Sequence, residues 1–394
     1  MYVTRPLSMY RREPSNLSIP PPLAPNSGYL TITDAESEEQ DTCCWGACKN
    51  KQVKKLPFPQ NKILTIVHSS STTEEEDQLA HHHYKVWFVP VFDQPLSSNR
   101  YYIIRAAGKH KGKASICTRE VDIGAYCCGS YYKDLKPRAF DHRDIYQQVE
   151  IHVCHCGFVA KSVAPDGFPP SFLRRKGWQV YASSHCFKLG IVPGLDISLR
   201  MRLPEVDFSI SNKYSATVVV GKWYCPFMFI KEEVRLRYQM KTSMFYEITL
   251  EQWWEEIYAC ENDGSEGNVV VINVNVQREV SSIFGMEAIK ECGVDEVTWF
   301  KAYRVANNKR RRVGVGLSSA IVEKMRWLQE KADWVNREER EIRVEKVEVF
   351  RGGNRWNKFG CYVLVESFAL RRSDGILLLT CDFRHTHHIL SKWE

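Results

Sequence analysis

Short runs of aromatic and β-branched residues recur along the whole chain, and they restrict it to a strand-rich fold. They lie at 29–33, 63–68, 85–92, 101–106, 148–153, 179–182, 216–220, 223–230, 269–276, 297–305, 342–350, 359–370 and 376–383. Runs of this kind, bounded by Gly, Pro, Asn, Asp and Ser, read as β-strands. The last three form a terminal antiparallel meander, with Ser373-Asp-Gly375 as its final turn, because Asp-Gly suits a tight hairpin. Helical periodicity is rarer. Thr249 and Gln252 have capping-box spacing, and Leu250, Trp253, Trp254, Ile257 and Tyr258 share one stripe, which predicts a short helix from 249. A second helix is expected near 282–291, closed by Gly293. The longest is expected near 317–340, with Ile321, Met325, Leu328, Ala332 and Val335 on its apolar face and Glu323, Lys324, Glu330, Lys331 and Arg337 opposite. The expected class is α+β and strand-rich, with antiparallel, sandwich-like sheets and a few helices.

A chain of 394 residues suggests two or three domains at roughly 150 residues each. Residues 1–27, with Pro20-Pro-Pro22 and Pro25, read as an extended Pro-rich arm. Residues 28–260 read as a β-rich N-terminal domain. The stretch 261–268 has no apolar residue and reads as a linker. Residues 269–394 read as an α+β C-terminal domain. The 54 basic and 47 acidic residues leave a net charge of +7, spread along the chain. That permits an anionic partner but argues against a dedicated nucleic-acid binder, which clusters its charge.

No apolar run approaches the ~18 residues that span a bilayer. The longest, 223–230, is interrupted by Pro226, and the first residues lack a secretory apolar core. A cytoplasmic protein is expected, its 14 cysteines reduced. A nuclear pool would follow if Lys309-Arg-Arg-Arg312 acts as an import signal; a solvated hairpin tip is the simpler reading.

The segment Ser162-Val-Ala-Pro-Asp-Gly-Phe-Pro-Pro-Ser-Phe-Leu-Arg-Arg-Lys-Gly-Trp178 fits neither a helical nor a strand period. Its three prolines predict a stiff, irregular loop. Within it Arg174, Arg175 and Lys176 offer charge to an anionic or protein partner, and Phe172 and Trp178 offer stacking surface. The competing reading tucks both aromatics into the core. His152, Cys154 and Cys156 would share one face of a strand and could supply part of a zinc site, completed by Cys127, Cys128, Cys186 or the His385–His388 group. Buried thiols and hydrogen-bonded imidazoles are the simpler reading, because no paired C-x₂-C motif accompanies them. The adjacent thiols Cys43-Cys44, with Cys48, and Cys127-Cys128 would sense oxidants only if exposed. No hydrolase, kinase, Walker or C-x-x-C signature occurs, which points away from an enzyme.

Several segments together resemble one family. They are Met1-Tyr-Val-Thr-Arg-Pro-Leu-Ser8, Leu56-Pro-Phe-Pro-Gln-Asn61, Pro95-Leu-Ser-Ser-Asn-Arg-Tyr-Tyr102, Asp166-Gly-Phe-Pro-Pro-Ser-Phe-Leu173, Gly221-Lys-Trp-Tyr-Cys-Pro-Phe227 and Asp382-Phe-Arg-His-Thr-His387. The chain resembles the land-plant family known as domain of unknown function 1262, some of whose members are labelled insecticidal crystal toxin domain proteins. The resemblance implies a plant origin and a stress- or defence-responsive setting, and it carries over no catalytic residue. The toxin label implies a pore-forming or glycan-binding β module. The leading expectation is a non-catalytic protein that binds a partner. The rivals are a Cys/His-centred enzyme, metal site or redox switch, and a peripheral membrane or glycan-binding β module.

Overall fold

Alternation decides most of this fold: in the run 62–67, Leu64 and Ile66 turn inward while their neighbours stay at least partly exposed. The computed structural model describes residues 1–43, 48–68, 83–126, 129–132, 134–262, 264, 267–293, 296–306, 309–334, 339–353 and 355–394. Among these residues six α-helices interrupt the strands: α1 Leu7–Arg12, α2 Ala35–Gln40, α3 Ser171–Arg174, α4 Ile197–Arg202, α5 Leu236–Thr242 and α6 Ser319–Glu330. The longest has 12 residues, so the fold is mostly β rather than α+β. Two compact units are formed, Met1–Val192 with Arg235–Met244, and Pro193–Val234 with Phe245–Glu394. The boundary expected at 261–268 is therefore corrected: that stretch joins two strands of one unit.

The first unit contains β1 Tyr2–Pro6, β2 Gly28–Ile32, β3 Gln52–Val53, β4 Lys62–Val67, β5 Tyr84–Pro90, β6 Arg100–Arg105, β7 Gln148–Cys154, β8 Gly157–Ser162 and β9 Gln179–Cys186. Seven of them make one antiparallel sheet in the order β8-β7-β6-β5-β4-β9-β3. The expected Pro-rich arm is instead structured. β1 pairs in parallel with β2, and Tyr2, Val3, Leu7 and Tyr10 are buried. Pro6 ends β1 and precedes α1, Pro14 opens a 3₁₀ turn over Pro14–Ser18, and the run Pro20–Pro22 follows this ordered stretch.

The core of this unit gathers Phe58, Phe88, Tyr101, Phe158 and Trp178. Trp178 stacks on Phe88 at 6.3 Å and 5°, and lies 5.2 Å from Phe158. The backbone enforces this: Phe158 N donates to Trp178 O at 2.9 Å, and Gly177 N to Phe158 O at 2.9 Å. A Cβ at Gly157, where φ is +147°, would stand 2.4 Å from Trp178 O, so only glycine admits the approach.

The second unit contains β10 Val218–Pro226, β11 Ile230–Glu232, β12 Phe245–Glu261, β13 Val269–Gln277, β14 Glu279–Ile283, β15 Met286–Glu287, β16 Ile289–Cys292, β17 Val297–Ala306, β18 Lys309–Ser318, β19 Glu341–Val349, β20 Lys358–Arg372 and β21 Leu377–Trp393. Its main sheet runs β10-β12-β20-β21-β14-β15; a second runs β11-β18-β17-β16; β13 and β19 form a two-stranded ribbon. The terminal meander is present in β20 and β21, while its expected first strand, β19, pairs with β13.

Three helix expectations are corrected here. Residues 249–258 lie in β12, paired with β20 from Tyr246↔Arg372 to Glu261↔Lys358. The large aromatic content that mimicked a helical stripe suits a long, doubly paired strand equally well. Residues 282–291 form β14 to β16, because Phe284 and Gly285 both take positive φ and turn the chain back. The helix expected at 317–340 is confined to α6: Leu317 and Ser318 still belong to β18, and Asp333 adopts φ 59°.

The aromatic core predicts that W178A destabilises the first unit by about 3–5 kcal/mol in a urea titration. The exposed pair change R175A/K176A should leave the same transition within about 0.5 kcal/mol.

Candidate functional site

The sequence-derived contact residues divide on burial. Trp178 is fully buried, and Phe172 is buried against Tyr84, with ring centroids 4.9 Å apart. The Arg105 guanidinium caps Phe172 at 4.8 Å. Neither aromatic is available to a partner, which corrects that part of the expectation: Phe172 lies on the buried side of α3, and backbone pairing with Phe158 holds Trp178 in the core. Arg174 Nη2 donates to Asp134 Oδ1 at 3.0 Å and Nε to Pro169 O at 3.2 Å. Arg175 and Lys176 remain exposed.

Local geometry separates the three residues on which the zinc expectation was built. β7 ends at Cys154, and Cys156 falls in the tight turn to β8, off the face that His152 and Cys154 share. His152 Nε2 instead lies 3.0 Å from Glu150 Oε1. Of the proposed completing ligands, Cys186 accepts from Asn61 Nδ2 at 3.1 Å. Cys127 and Cys128 lie outside the described residues, as do Cys44 and the side chains of Cys43 and Cys48. Among the described residues no three His, Cys, Asp or Glu side chains converge as metal ligands. Buried thiols are poor nucleophiles: burial pushes Cys225 and Cys381 up to about 12, and Cys117 and Cys361 up to about 11. The side chains of Lys309, Arg310 and Arg311 also lie outside the described residues, and Arg312 Nη2 reaches Glu233 at 3.0 Å.

The densest chemistry lies in the second unit, around Glu366 on β20. Arg200 on α4 engages it bidentately, with Nε 2.7 Å from Oε1 and Nη2 on Oε2. Gln252, its cross-strand neighbour on β12, donates to Oε1 at 2.8 Å. Gln329 on α6 donates to Oε2 at 2.8 Å and accepts from His385 Nε2, on β21, at 2.9 Å. All five side chains are buried. Burial alone would raise the Glu366 carboxyl, but hydrogen bonding and charge from His385 and Arg200 outweigh it and hold the group well below the usual carboxylate range. A carboxylate saturated with donors has no lone pair for proton abstraction, so this cluster is a clamp that joins two helices to three strands. Of its members the sequence reading noticed only His385 (as a metal ligand) and Gln252 (as a helix cap). A usable signal was present: Glu366 is the one charge within the apolar stretch Tyr362-Val-Leu-Val-Glu-Ser-Phe-Ala-Leu370, and a charge there requires a buried partner.

Two further features reach the surface of this unit. A cleft of about 510 Å³ is lined by Arg278, Glu279, Lys290, Trp334, Arg340 and Glu341 among others. Arg278 stacks over Trp334 at 5.0 Å, and Lys290 pairs with Glu279 at 2.8 Å, so part of its charge is internally matched. The ribbon is the second feature. Its inner face, with Val270 and Ile272, packs on Trp356, Phe359 and Cys361. Its outer face presents two cross-strand valine pairs, Val269–Val349 and Val271–Val347, with exposures of 49%, 50%, 61% and 61% in that order.

A model of the family described as Protein of unknown function (DUF1262) matches residues 24–128, which fall within the first unit. No curated protein matches the sequence. Among solved structures, the crystal structure of Cry35Ab1 is similar at 10% identity and a TM-score of 0.48, over 85% of this chain and 90% of that one. No helix among the described residues is long and apolar enough to cross a membrane.

The clamp yields two expectations. R200M leaves the Glu366 charge buried without its counter-ion and should destabilise the second unit by about 3–5 kcal/mol. Because the folded pKa of Glu366 lies below the unfolded value of about 4.3, its contribution is complete above that pH and drains away as pH falls toward the folded value. Between about pH 5 and pH 3 the parent should therefore lose stability more steeply than E366Q. Parallel slopes in urea titrations across that range would remove the assignment.

Proposed function

We propose that this chain acts by binding a protein partner, and that the outer face of the β13–β19 ribbon makes the contact. The observation that carries this reading is the pair of valine pairs. Valines scattered singly over a strand surface need no explanation, since β-branched residues favour strands anyway. Four in one contiguous block, each about half exposed or more, form a patch that a partner would cover. The opposite face of the ribbon is already buried, so the block is not a core surface left bare by a wrong register. Arg175 and Lys176 are a second, purely electrostatic surface for an anionic group. The plant stress or defence setting rests on the sequence resemblance alone, and a cytoplasmic or nuclear location on the apolar and basic runs of the sequence.

The test is retention of protein from an extract of the source tissue on the immobilised chain. V271K and V347K should each lose a discrete set of proteins that the parent holds, with an unchanged melting temperature. If both variants retain the set, the ribbon is not the contact; if R175A/K176A loses it instead, the basic pair is.

One observation favours a second reading, a peripheral membrane module. Phe284 is 47% exposed at φ 49°, a conformation uncommon for a bulky residue and costing about 1–3 kcal/mol. Its N donates at 3.2 Å to Leu378 O, next to the exposed Leu377 and Ile376. An apolar tip held under strain suits insertion into a lipid interface. F284N should raise the melting temperature, since Asn tolerates this backbone, and weaken co-flotation with phosphatidylcholine–phosphatidylglycerol vesicles. A parent that does not float with them ends this reading.

A further inference from the structure

We infer that the cleft between α1 and the segment after β3 binds a small amphipathic anion, a single carboxylate or phosphate head on an apolar body. The cleft holds about 570 Å³, within the roughly 300–1,000 Å³ usual for small-molecule sites. Its lining lies wholly in the first unit, apart from the ribbon.

The floor is apolar. α1 turns Leu7 and Tyr10 to one side, three positions apart, and both are buried. Leu17, in the turn Pro14–Ser18, and Leu56 and Pro57, after β3, continue that surface. Leu56 also packs against the aromatic core, so the core holds this part of the floor in place. An apolar body laid on it would leave water for a surface already formed.

The rim is cationic. Arg11, Arg12, Lys54 and Lys55 line the cleft, against one carboxylate among the described lining residues, Asp41. Arg11 already matches that carboxylate: its Nη2 lies 2.8 Å from Asp41 Oδ2, and its Nη1 donates to Ser37 O at 2.9 Å. Arg12 is held loosely, with Nε 3.6 Å from Glu36 Oε1 and both side chains well exposed. Lys54 and Lys55 are exposed, and neither makes an ion pair among the described residues. The charge left over around the cleft is therefore positive.

Each basic pair has an ordinary explanation when taken alone. Arg11 and Arg12 stand in the last turn of α1, where positive charge complements the helix dipole. Two adjacent lysines are usually a solvated face. Their placement together is what calls for a ligand. The fold brings residues 11–12 and 54–55 to one concave surface with apolar walls, where charges of one sign repel each other and their field is focused. An anion relieves that repulsion. Arg12 offers an oxyanion a planar fork, and the lysines act as point charges beside it. A cationic head would meet repulsion at the rim, and a bare anion would leave the floor wet. A free fatty acid and a single-chain phosphate ester share the chemistry that fits both.

The test titrates the full chain by calorimetry with dodecanoate and with dodecyl phosphate, below micelle formation and at concentrations that leave the circular dichroism unchanged. At least one should bind saturably, one molecule per chain, and the tighter of the two identifies the head group. Inorganic phosphate lacks the body and dodecyltrimethylammonium reverses the head, so each should bind at least about tenfold more weakly. K54A/K55A should weaken the better anion about tenfold while the melting temperature of the free chain stays unchanged. No saturable binding of either anion, equal binding of inorganic phosphate or of the trimethylammonium compound, or a K54A/K55A chain that binds like the parent would each overturn the inference.

Discussion

The Glu366 carboxylate organises the second unit. One side chain accepts from Arg200 on α4, Gln252 on β12 and Gln329 on α6, while His385 on β21 closes the network through Gln329. A fully buried ion is expensive to desolvate, and its strength as a constraint follows from that cost. Each donor must stay in place or the charge is stranded. The two helices and three strands are thus held in one arrangement by directional bonds, where apolar packing alone would tolerate small shifts. The long strands beside it, β12, β20 and β21, supply the extent over which that arrangement is read out.

The first unit is held differently. Its centre is aromatic: Phe58, Phe88, Phe158 and Trp178 pack ring against ring. The proline-rich run that seemed built for display serves this packing. Phe172, on α3, and Trp178, bonded through its backbone to Phe158, are in the interior, while Arg175 and Lys176 stay on the surface. Stiffness in a loop reduces the entropy lost on ordering, but it does not say whether the ordered side chains face a partner or the core.

The β13–β19 ribbon shows how one short element can separate two tasks. Its inner residues complete a core, and its outer valines stand ready for contact. Period-two alternation makes this possible, since neighbouring residues on a strand answer to opposite environments.

Much of the strand content was legible from the chain itself, because β-branched and aromatic runs carry their own preference and alternation marks the buried face: Leu64 and Ile66, or Val270 and Ile272, are readable without a structure. Tertiary pairing alone decided the rest. Leu250, Trp253 and Trp254 satisfy a helical stripe and a strand equally, and fifteen residues of pairing with β20 settled the matter for the strand. Glu366, Arg200 and His385 lie 166 and 19 positions apart along the chain, so no local pattern joins them. A buried charge needs partners chosen by geometry, and geometry at that separation exists only once the sheet has formed.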